Sequence, residues 1–203
     1  YEEARSTYVQ ATGLVERSQQ QGQITLLDVC YGLGYNTAAA LEGIWAVAPE
    51  TPIRLVGLEL DESVPKAAIA QGLLQDWSMP VQAALQDLAM DQRVGGPPSQ
   101  SRCQNWQQGL GDEGLAIAEP ISYPRRTNLT ADLLIGDARQ HIQTLVKSGF
   151  QADVIFLDPF SPPRCPQLWT VEFLDLVAQC LHPQGILATY SAAAAVRAAL
   201  QLA

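Results

Sequence analysis

The sequence has little positive charge. Its 203 residues include 12 Lys and Arg against 21 Asp and Glu, for a net charge of −9. A protein that coats nucleic acid is usually basic, so any nucleic-acid partner must be held by a local patch. Charged residues make up only 16% of the chain and apolar residues 47%, which excludes a disordered chain and is typical of a globular one.

The sequence also lacks a paired cysteine motif and a long apolar run. No two of the four cysteines form a Cys-x-x-Cys pair, so we predict no zinc or other metal site. Free thiols fit the reducing cytoplasm, and no signal-peptide pattern is visible, so we expect a cytoplasmic location. No apolar run approaches the roughly 20 residues that cross a bilayer, so we expect no membrane association.

What is present is an alternation of apolar runs and helical patterns. Runs such as 53–60 are apolar along their whole length, as in strands that are buried on both faces of a parallel sheet. The alternation predicts a Rossmann-like, doubly wound, mostly parallel sheet in a three-layer α/β/α sandwich. Strands are predicted at 24–30, 53–60, 116–122, 129–135, 152–157 and 186–190, with helices at 37–47, 63–77, 81–90, 137–147, 170–181 and 192–202.

No repeat or second core is visible, so residues 1–203 are predicted to form a single domain. Residues 1–23 are interpreted as an N-terminal lead-in with a short helix. Residues 93–114 contain a Gly-Gly-Pro-Pro run and are interpreted as a mobile insertion. Ser191 is predicted to cap the last helix.

The chain is organised around a glycine turn that follows the first strand. Asp28 ends the apolar run, Gly32 and Gly34 form the turn, and Asn36 is predicted to cap the next helix. Such a turn lets a ligand approach the main chain and the helix N-terminus. A dinucleotide site requires a third glycine, which is missing here, so the pattern disfavours NAD.

Acids stand at or near the ends of several predicted strands: Asp28, Glu59, Asp137 and Asp158. In a doubly wound sheet these ends meet at the rim where ligands bind. Glu59 is placed to accept hydrogen bonds from a ribose diol, and Asp137 to accept from an adenine amino group. Several carboxylates suit a ligand with an ammonium and a sulfonium group, such as S-adenosylmethionine, better than a pyrophosphate.

Longer motifs carry a resemblance to a known family. The chain contains Asp-Val-Cys-Tyr-Gly-Leu-Gly-Tyr-Asn at 28–36, Gly-Asp at 136–137, and Gly-Ile-Leu-Ala-Thr-Tyr-Ser at 185–191. The most specific block is Phe-Leu-Asp-Pro-Phe-Ser-Pro at 156–162, followed by Pro-Gln-Leu-Trp-Thr at 166–170. With these motifs the chain resembles the class I S-adenosylmethionine-dependent methyltransferases. More narrowly, it is similar to the tRNA 5-methylaminomethyl-2-thiouridine methyltransferase family. Cys30 and Pro159 stand where that family has glycine.

The resemblance implies S-adenosyl-L-methionine as cofactor and tRNA as partner, with N-methylation of an amine on a modified wobble uridine. Asp158 is then the catalytic residue, which accepts a hydrogen bond or a proton from the amine. Phe160 would stack on a base, and Arg197 would contact phosphate. The implied cofactor-binding residues are Asp28, Tyr31, Gly32, Gly34, Asn36, Glu59, Asp137, Ala138 and Asp158, and the substrate-binding residues are Pro159, Phe160, Trp169 and Arg197.

Other interpretations stay open at this point. The acceptor could be a small molecule or a protein, or the chain could be a non-catalytic nucleotide-binding domain; a nicotinamide-dependent oxidoreductase is a further alternative. Residue by residue, Asp158 could cap a loop, Phe160 and Trp169 could be core aromatics, and the arginines could be solvated surface.

Overall fold

The fold was analysed in a computed structural model, which describes residues 2–95 and 126–203. It contains a π-helical segment, Ala4–Gln10, and a 3-10 turn, Pro166–Leu168. The α-helices are α1 Leu14–Gln20, α2 Tyr35–Val47, α3 Ser63–Ala70, α4 Met79–Asp91, α5 Ala138–Ser148, α6 Val171–Gln179 and α7 Ala194–Leu202. The strands are β1 Ile24–Val29, β2 Ile53–Glu59, β3 Arg93–Val94, β4 Leu129–Ile135, β5 Ala152–Leu157 and β6 Leu181–Ala188.

These strands form one sheet in the order β3-β4-β2-β1-β5-β6. All neighbouring pairs are parallel except β3 with β4, which is antiparallel. The chain moves outward from β1 through β2 to β4, and then returns to the other side of β1 with β5 and β6. The predicted doubly wound, mostly parallel α/β fold is therefore confirmed, and its topological switch point lies between β1 and β5.

The core lies on both faces of this sheet, because the central strands are apolar along their length. Leu26 and Leu55 pack into the cluster on the face that is covered by α2 and α4. Leu27 and Ile155 pack on the opposite face, against α5 and α6. Burial on both faces explains why these strands show no alternation of polar and apolar residues.

Several element boundaries differ from the predictions. Helix α2 begins at Tyr35 with Gly34 as its N-cap, so Asn36 lies inside the first turn and does not cap the helix. Helix α3 ends at Ala70, well before residue 77, and turns follow. The last helix begins at Ala194 and makes no side-chain cap bond, so the predicted Ser191 cap is wrong. Strand β6 begins at Leu181, five residues before the predicted start at 186, and it has a register shift against β5.

Part of the predicted insertion has a structure of its own. Arg93 and Val94 form the short edge strand β3, where Arg93 is also paired with Asp132 of β4. Residues 96–114 of the insertion and the predicted strand 116–122 lie outside the described residues. Within the described ranges, no helix is both long and apolar enough to cross a membrane.

Candidate active site

A cavity of about 920 Å³ opens at the carboxyl ends of the central strands. It lies at the switch point, where the chain leaves β1 and β5 in opposite directions, and its volume is in the range of small-molecule sites. Its walls come from the turns after β1, β2, β4 and β5. The N-terminal π-helical segment contributes a further wall through Ala4 and Tyr8, together with the neighbouring Glu3.

The glycine turn after β1 has a backbone that few side chains tolerate. Cys30, Gly32 and Gly34 all have positive φ angles, of 69°, 57° and 86°. The Gly34 N–H donates to the Tyr31 carbonyl, which closes the turn. A Cβ atom at Gly34 would lie 2.6 Å from the Tyr31 hydroxyl oxygen and 3.1 Å from Leu85. Tyr31 is itself buried beneath the turn, so Gly34 is needed both for its backbone angle and for the space.

Glu59 ties this turn to the next strand. One of its carboxylate oxygens accepts from the Gly32 N–H at 2.8 Å, and the other accepts from the Asp61 N–H at 3.0 Å. Each carboxylate oxygen can accept more than one hydrogen bond, so both can still receive a ligand hydroxyl group. Glu59 therefore shapes the turn as well as facing the cavity, which the sequence did not reveal.

Asp28 lies behind the turn and does not line the cavity. Its side chain is fully buried, and one oxygen accepts from the Thr37 hydroxyl at 2.7 Å. Its other oxygen has no partner among the described residues. Burial raises the pKa of Asp28 to about 7, while the Thr37 bond lowers it and the Asp158 and Glu59 charges raise it further. Asp28 therefore supports the turn from below.

This buried carboxyl group predicts a pH-dependent stability. The Asp28 pKa is higher in the folded state than in the unfolded one. The contribution of this carboxyl group to the unfolding free energy is therefore complete below about pH 4 and is lost as pH rises through about 7. We expect Asp28→Asn to flatten this decline by about 2–4 kcal/mol between pH 4 and pH 8, as measured by urea unfolding. Asp153→Asn is the matched control, because Asp153 lies on β5 and accepts from the Thr25 N–H. An unchanged pH profile in Asp28→Asn would contradict this assignment.

Asp137 follows β4 and caps α5. Its carboxylate accepts from the Arg139 N–H at 2.9 Å and forms an ion pair with the Arg139 guanidinium at 2.6 Å. The hydrogen bonds from Arg139 lower the pKa of Asp137, which keeps this carboxylate ionised. Asp137, Ala138 and Arg139 all line the cavity, so the ion pair stands on its wall.

Asp158 follows β5 and faces the same cavity. One of its oxygens accepts from the Asn36 side-chain amide at 2.8 Å, which links the turn after β5 to the first turn of α2. Burial raises the pKa of Asp158, and the Glu3 charge adds to this effect, whereas the neighbouring Tyr8 hydroxyl group and the Asn36 amide oppose it. A carboxylate with a raised pKa at the rim of a cleft is a candidate for proton transfer.

The residues after Asp158 form a loop that is held by its backbone. The Trp169 indole donates to the Phe160 carbonyl at 2.8 Å, and the Tyr190 hydroxyl donates to the Pro159 carbonyl at 2.9 Å. The two aromatic rings also meet edge to face, with centroids 6.3 Å apart. The Phe160 side chain is left 72% exposed at the cavity wall. An aromatic ring that is fixed by its backbone and exposed to a cleft can stack on a flat ligand.

The structure brings most of the predicted residues together. The cavity is lined by Tyr31, Gly32, Asn36, Glu59, Asp137, Ala138, Asp158, Pro159 and Phe160. Asp28, Gly34, Trp169 and Arg197 do not line it. The first three support its walls, as described above, and Arg197 is exposed on α7.

Sequence reasoning missed the contribution of the N-terminal segment and of the residue after β6. Ala4, Tyr8 and Val9 are buried, and the i, i+4 spacing of Ala4 and Tyr8 is a helical signal that was available in the sequence. No local signal marks Tyr190 as a partner of the loop after β5, since the two are 31 residues apart.

The charges of the lining fit a cationic ligand better than a phosphate. Five carboxylates (Glu3, Glu59, Asp61, Asp137, Asp158) and two guanidinium groups (Arg139, Arg164) line the cavity. One of the two guanidinium groups is already paired, with Asp137. Apolar side chains such as Leu58, Leu60 and Val64 complete the wall. This donor set fits S-adenosylmethionine, which combines cationic groups and a ribose diol with a flat base.

Comparison with known proteins decides between the ligands. A family model described as S-adenosyl-L-methionine-dependent methyltransferase matches residues 104–203. The chain belongs to the S-adenosyl-L-methionine-dependent methyltransferases. Its cofactor is accordingly S-adenosyl-L-methionine, and the turn after β1, Glu59 and Asp137 are the groups around the cavity that could hold it.

Two curated relatives of this methyltransferase are bifunctional proteins. The chain is 31% identical over 196 residues to the "tRNA 5-methylaminomethyl-2-thiouridine biosynthesis bifunctional protein MnmC" of Acidovorax sp. (strain JS42), which covers 97% of this chain and 27% of the relative. The protein of the same name from Methylobacillus flagellatus is 26% identical over 204 residues, which covers 100% of this chain and 28% of the relative. The chain thus spans about a quarter of the length of these relatives.

A solved structure is also similar over nearly all of this methyltransferase. The crystal structure of MnmC2 from Aquifex Aeolicus matches with a TM-score of 0.66 and 26% identity. The match covers 98% of this chain and 52% of that chain. The resemblance that the motifs indicated is therefore confirmed at the level of sequence and of fold.

Proposed function

We propose that this chain transfers a methyl group from S-adenosyl-L-methionine to an amine on a modified wobble uridine of tRNA. The observation that carries the proposal is the position of Asp158. Its carboxylate faces the cavity at the switch point, with one oxygen held by Asn36 and with the exposed Phe160 ring two residues away. The names of the relatives, which refer to tRNA 5-methylaminomethyl-2-thiouridine, support the choice of acceptor.

On the cofactor side, the proposed binding residues are those of the turn after β1, together with Asn36, Glu59, Asp137, Ala138 and Asp158. Glu59 offers free acceptor capacity to a ribose diol, and the wall after β4 offers Asp137 to an amino group. Asp28 and Gly34 act from outside the cavity, by supporting the turn. When bound, S-adenosylmethionine would supply a methyl group on a positively charged sulfur, which would be the leaving group for a nucleophile held in line with the methyl–sulfur bond.

On the acceptor side, the proposed role of Asp158 is to accept the proton of the amine. An aliphatic amine arrives largely as an ammonium ion, and it needs a free lone pair to attack. The Asp158 carboxylate accepts a hydrogen bond from the amine, orients it, and receives the proton that the nitrogen gives up. Burial, which raises the Asp158 pKa, makes this carboxylate a stronger base than a solvated one.

The loop after Asp158 provides the proposed binding surface for the base. Phe160 stacks on the uridine, a contact that is worth about 1–3 kcal/mol per base. Pro159 is buried and sets the course of the loop, and Trp169 acts through its bond to the Phe160 carbonyl. Arg197 lies outside the cavity, where a contact to the tRNA phosphates is proposed.

We further propose that the described and undescribed parts of residues 1–203 form a single methyltransferase domain. A cytoplasmic location is proposed with it, since the chain has free thiols among its described residues and a substrate that is proposed to be tRNA.

Two measurements test the proposed function. Isothermal titration is expected to show binding of S-adenosylmethionine, or of its demethylated product, at micromolar strength. Transfer of radiolabelled methyl is then expected to tRNA that carries a wobble aminomethyl group and not to the same tRNA without it. Absence of cofactor binding by folded protein would contradict the enzyme class. Transfer to a small amine or a protein, with none to tRNA, would leave the class intact and replace the acceptor.

A further inference from the structure

Tyr8, a residue at the cavity, has a buried hydroxyl group without a hydrogen-bond partner. Its side chain is only 2% exposed, and its hydroxyl oxygen makes no hydrogen bond to any described group. A buried polar atom without a partner costs about 1–3 kcal/mol, so its presence calls for an explanation. Tyr8 also lines the cavity, which is where such a user would come from.

The direction of the Tyr8 hydroxyl is fixed by packing. The Tyr8 ring meets the Phe156 ring edge to face, with centroids 5.4 Å apart. Phe156 stands two residues before Asp158 on the same chain segment, so both side chains lie on the same side of the sheet. Tyr8 therefore reaches along β5 towards the carboxylate at its end.

The Asp158 carboxylate is a close neighbour of this hydroxyl group. Burial raises the pKa of Tyr8 far above its ordinary value, and Asp158 is the next largest cause. Tyr8 is consequently a neutral phenol with a proton to donate. One Asp158 oxygen already accepts from the Asn36 amide. The carboxylate therefore has one donor in place and the Tyr8 phenol nearby. Hydrogen bonds of this kind are often long without substrate and shorten when it binds.

We propose that Tyr8 is a positioning residue, whose hydroxyl group faces the Asp158 carboxylate as a donor in the free protein and closes the hydrogen bond when the acceptor amine is bound. The N-terminal segment thereby completes the acceptor side of the site. The inference rests on the proposed function. Tyr8 and Asn36 hold the carboxylate ionised and fix its orientation, so that its remaining acceptor capacity is directed to the amine.

Other charged or titratable groups act around Asp158, and they stay the same when Tyr8 changes. They are Glu3 from the N-terminal segment, Asp28 from β1, Cys30 from the glycine turn, and Tyr190 after β6. None of them is a hydrogen-bond donor to Asp158 among the described contacts. Removal of the Tyr8 hydroxyl therefore changes the donors of Asp158 and leaves its surrounding charges in place.

The test is Tyr8→Phe in the full chain. In methyl transfer, we expect the acidic limb of the kcat/KM profile to move up by about 0.5–1 pH unit, and kcat at pH 7 to fall about 3- to 10-fold. The cofactor dissociation constant is expected to change less than twofold. Trp45→Phe is the matched control, because it also removes a buried unpartnered donor, but one outside the cavity. A pH profile that moves equally in both variants, or in neither, overturns the proposal.

A second measurement needs neither cofactor nor acceptor. The unfolding free energy is followed from pH 4 to pH 8 in the unaltered chain, Tyr8→Phe, Asp158→Asn and the double variant. In the presence of Asp158, Tyr8→Phe is expected to shift the pH-dependent loss of stability to higher pH. In the Asp158→Asn background, Tyr8→Phe is expected to cause no such shift. A shift that persists in the double variant overturns the proposal. Failure of methyl transfer with an intact stability cycle would instead count against the proposed function.

Discussion

Asp158→Asn is expected to lower kcat for methyl transfer by about 100- to 10,000-fold, which is the usual contribution of a positioned acid or base. The amide keeps the shape of the side chain and can still accept from Asn36, but it cannot take a proton. The cofactor should still bind, within about tenfold of the original dissociation constant, as measured by titration calorimetry. Single-turnover kinetics with radiolabelled methyl donor measures the chemical step directly.

Asp153→Asn is the matched control for this substitution. Asp153 lies on the same strand, and its carboxylate accepts from the Thr25 N–H away from the cavity, so its loss should leave transfer unchanged. In the unaltered chain the rate should fall as pH drops through the raised pKa of Asp158, because protonation removes the base. Full activity of Asp158→Asn would show that the amine needs no carboxylate.

Gly34→Ala is expected to remove cofactor binding and to destabilise the fold. The φ angle of 86° alone costs an alanine about 1–2 kcal/mol. In addition, the new Cβ would stand 2.6 Å from the Tyr31 hydroxyl oxygen, and Tyr31 is buried and has nowhere to move. The turn after β1 must then change its course, which separates the Gly32 N–H from Glu59. Calorimetric titration and urea unfolding measure the two effects.

Gly149→Ala separates the backbone effect from the clash. Gly149 has a φ of 72° as the C-cap of α5, and a Cβ there would meet nothing within 4 Å. We expect Gly149→Ala to lower the free energy of unfolding only by the cost of the positive φ angle and to leave cofactor binding unchanged. Gly34→Ala should cost at least about 1 kcal/mol more, in line with the cost of overpacking. Equal losses in the two variants would show that the space at Gly34 is unimportant.

The strands could be predicted because their signal is local and continuous. The bounds of β4 and β5 agree with the prediction to the residue, since each is a mostly apolar run that is closed by a turn or an acid. The helix starts were harder. Asn36 has the right chemistry for a cap, yet the left-handed Gly34 ends the turn one residue before Tyr35, and the Asn36 side chain serves Asp158 instead. A long-range contact thus outweighed a local preference.

For the candidate site, too, the sequence indicated some features and not others. Acids at strand ends were brought to one cavity by the parallel topology, which the sequence does encode. Whether a side chain faces the cavity or supports its wall depends on packing between distant segments. Asp28 and Trp169 illustrate this, because both have the expected chemistry and both act from behind the wall. Tyr8 illustrates the reverse, since a residue of the supposed lead-in reaches the site.

The loop after β5 is held by hydrogen bonds to its main-chain carbonyl groups. Trp169 and Tyr190 both bind carbonyl oxygens, which every amino acid possesses, so neither bond depends on the ring at position 160. The identity of that residue is therefore free to vary without loss of the loop's conformation. Acceptor preference in this scaffold could then diverge through exchange of one exposed side chain, while Asp158, the proposed proton acceptor two residues before it, keeps its position.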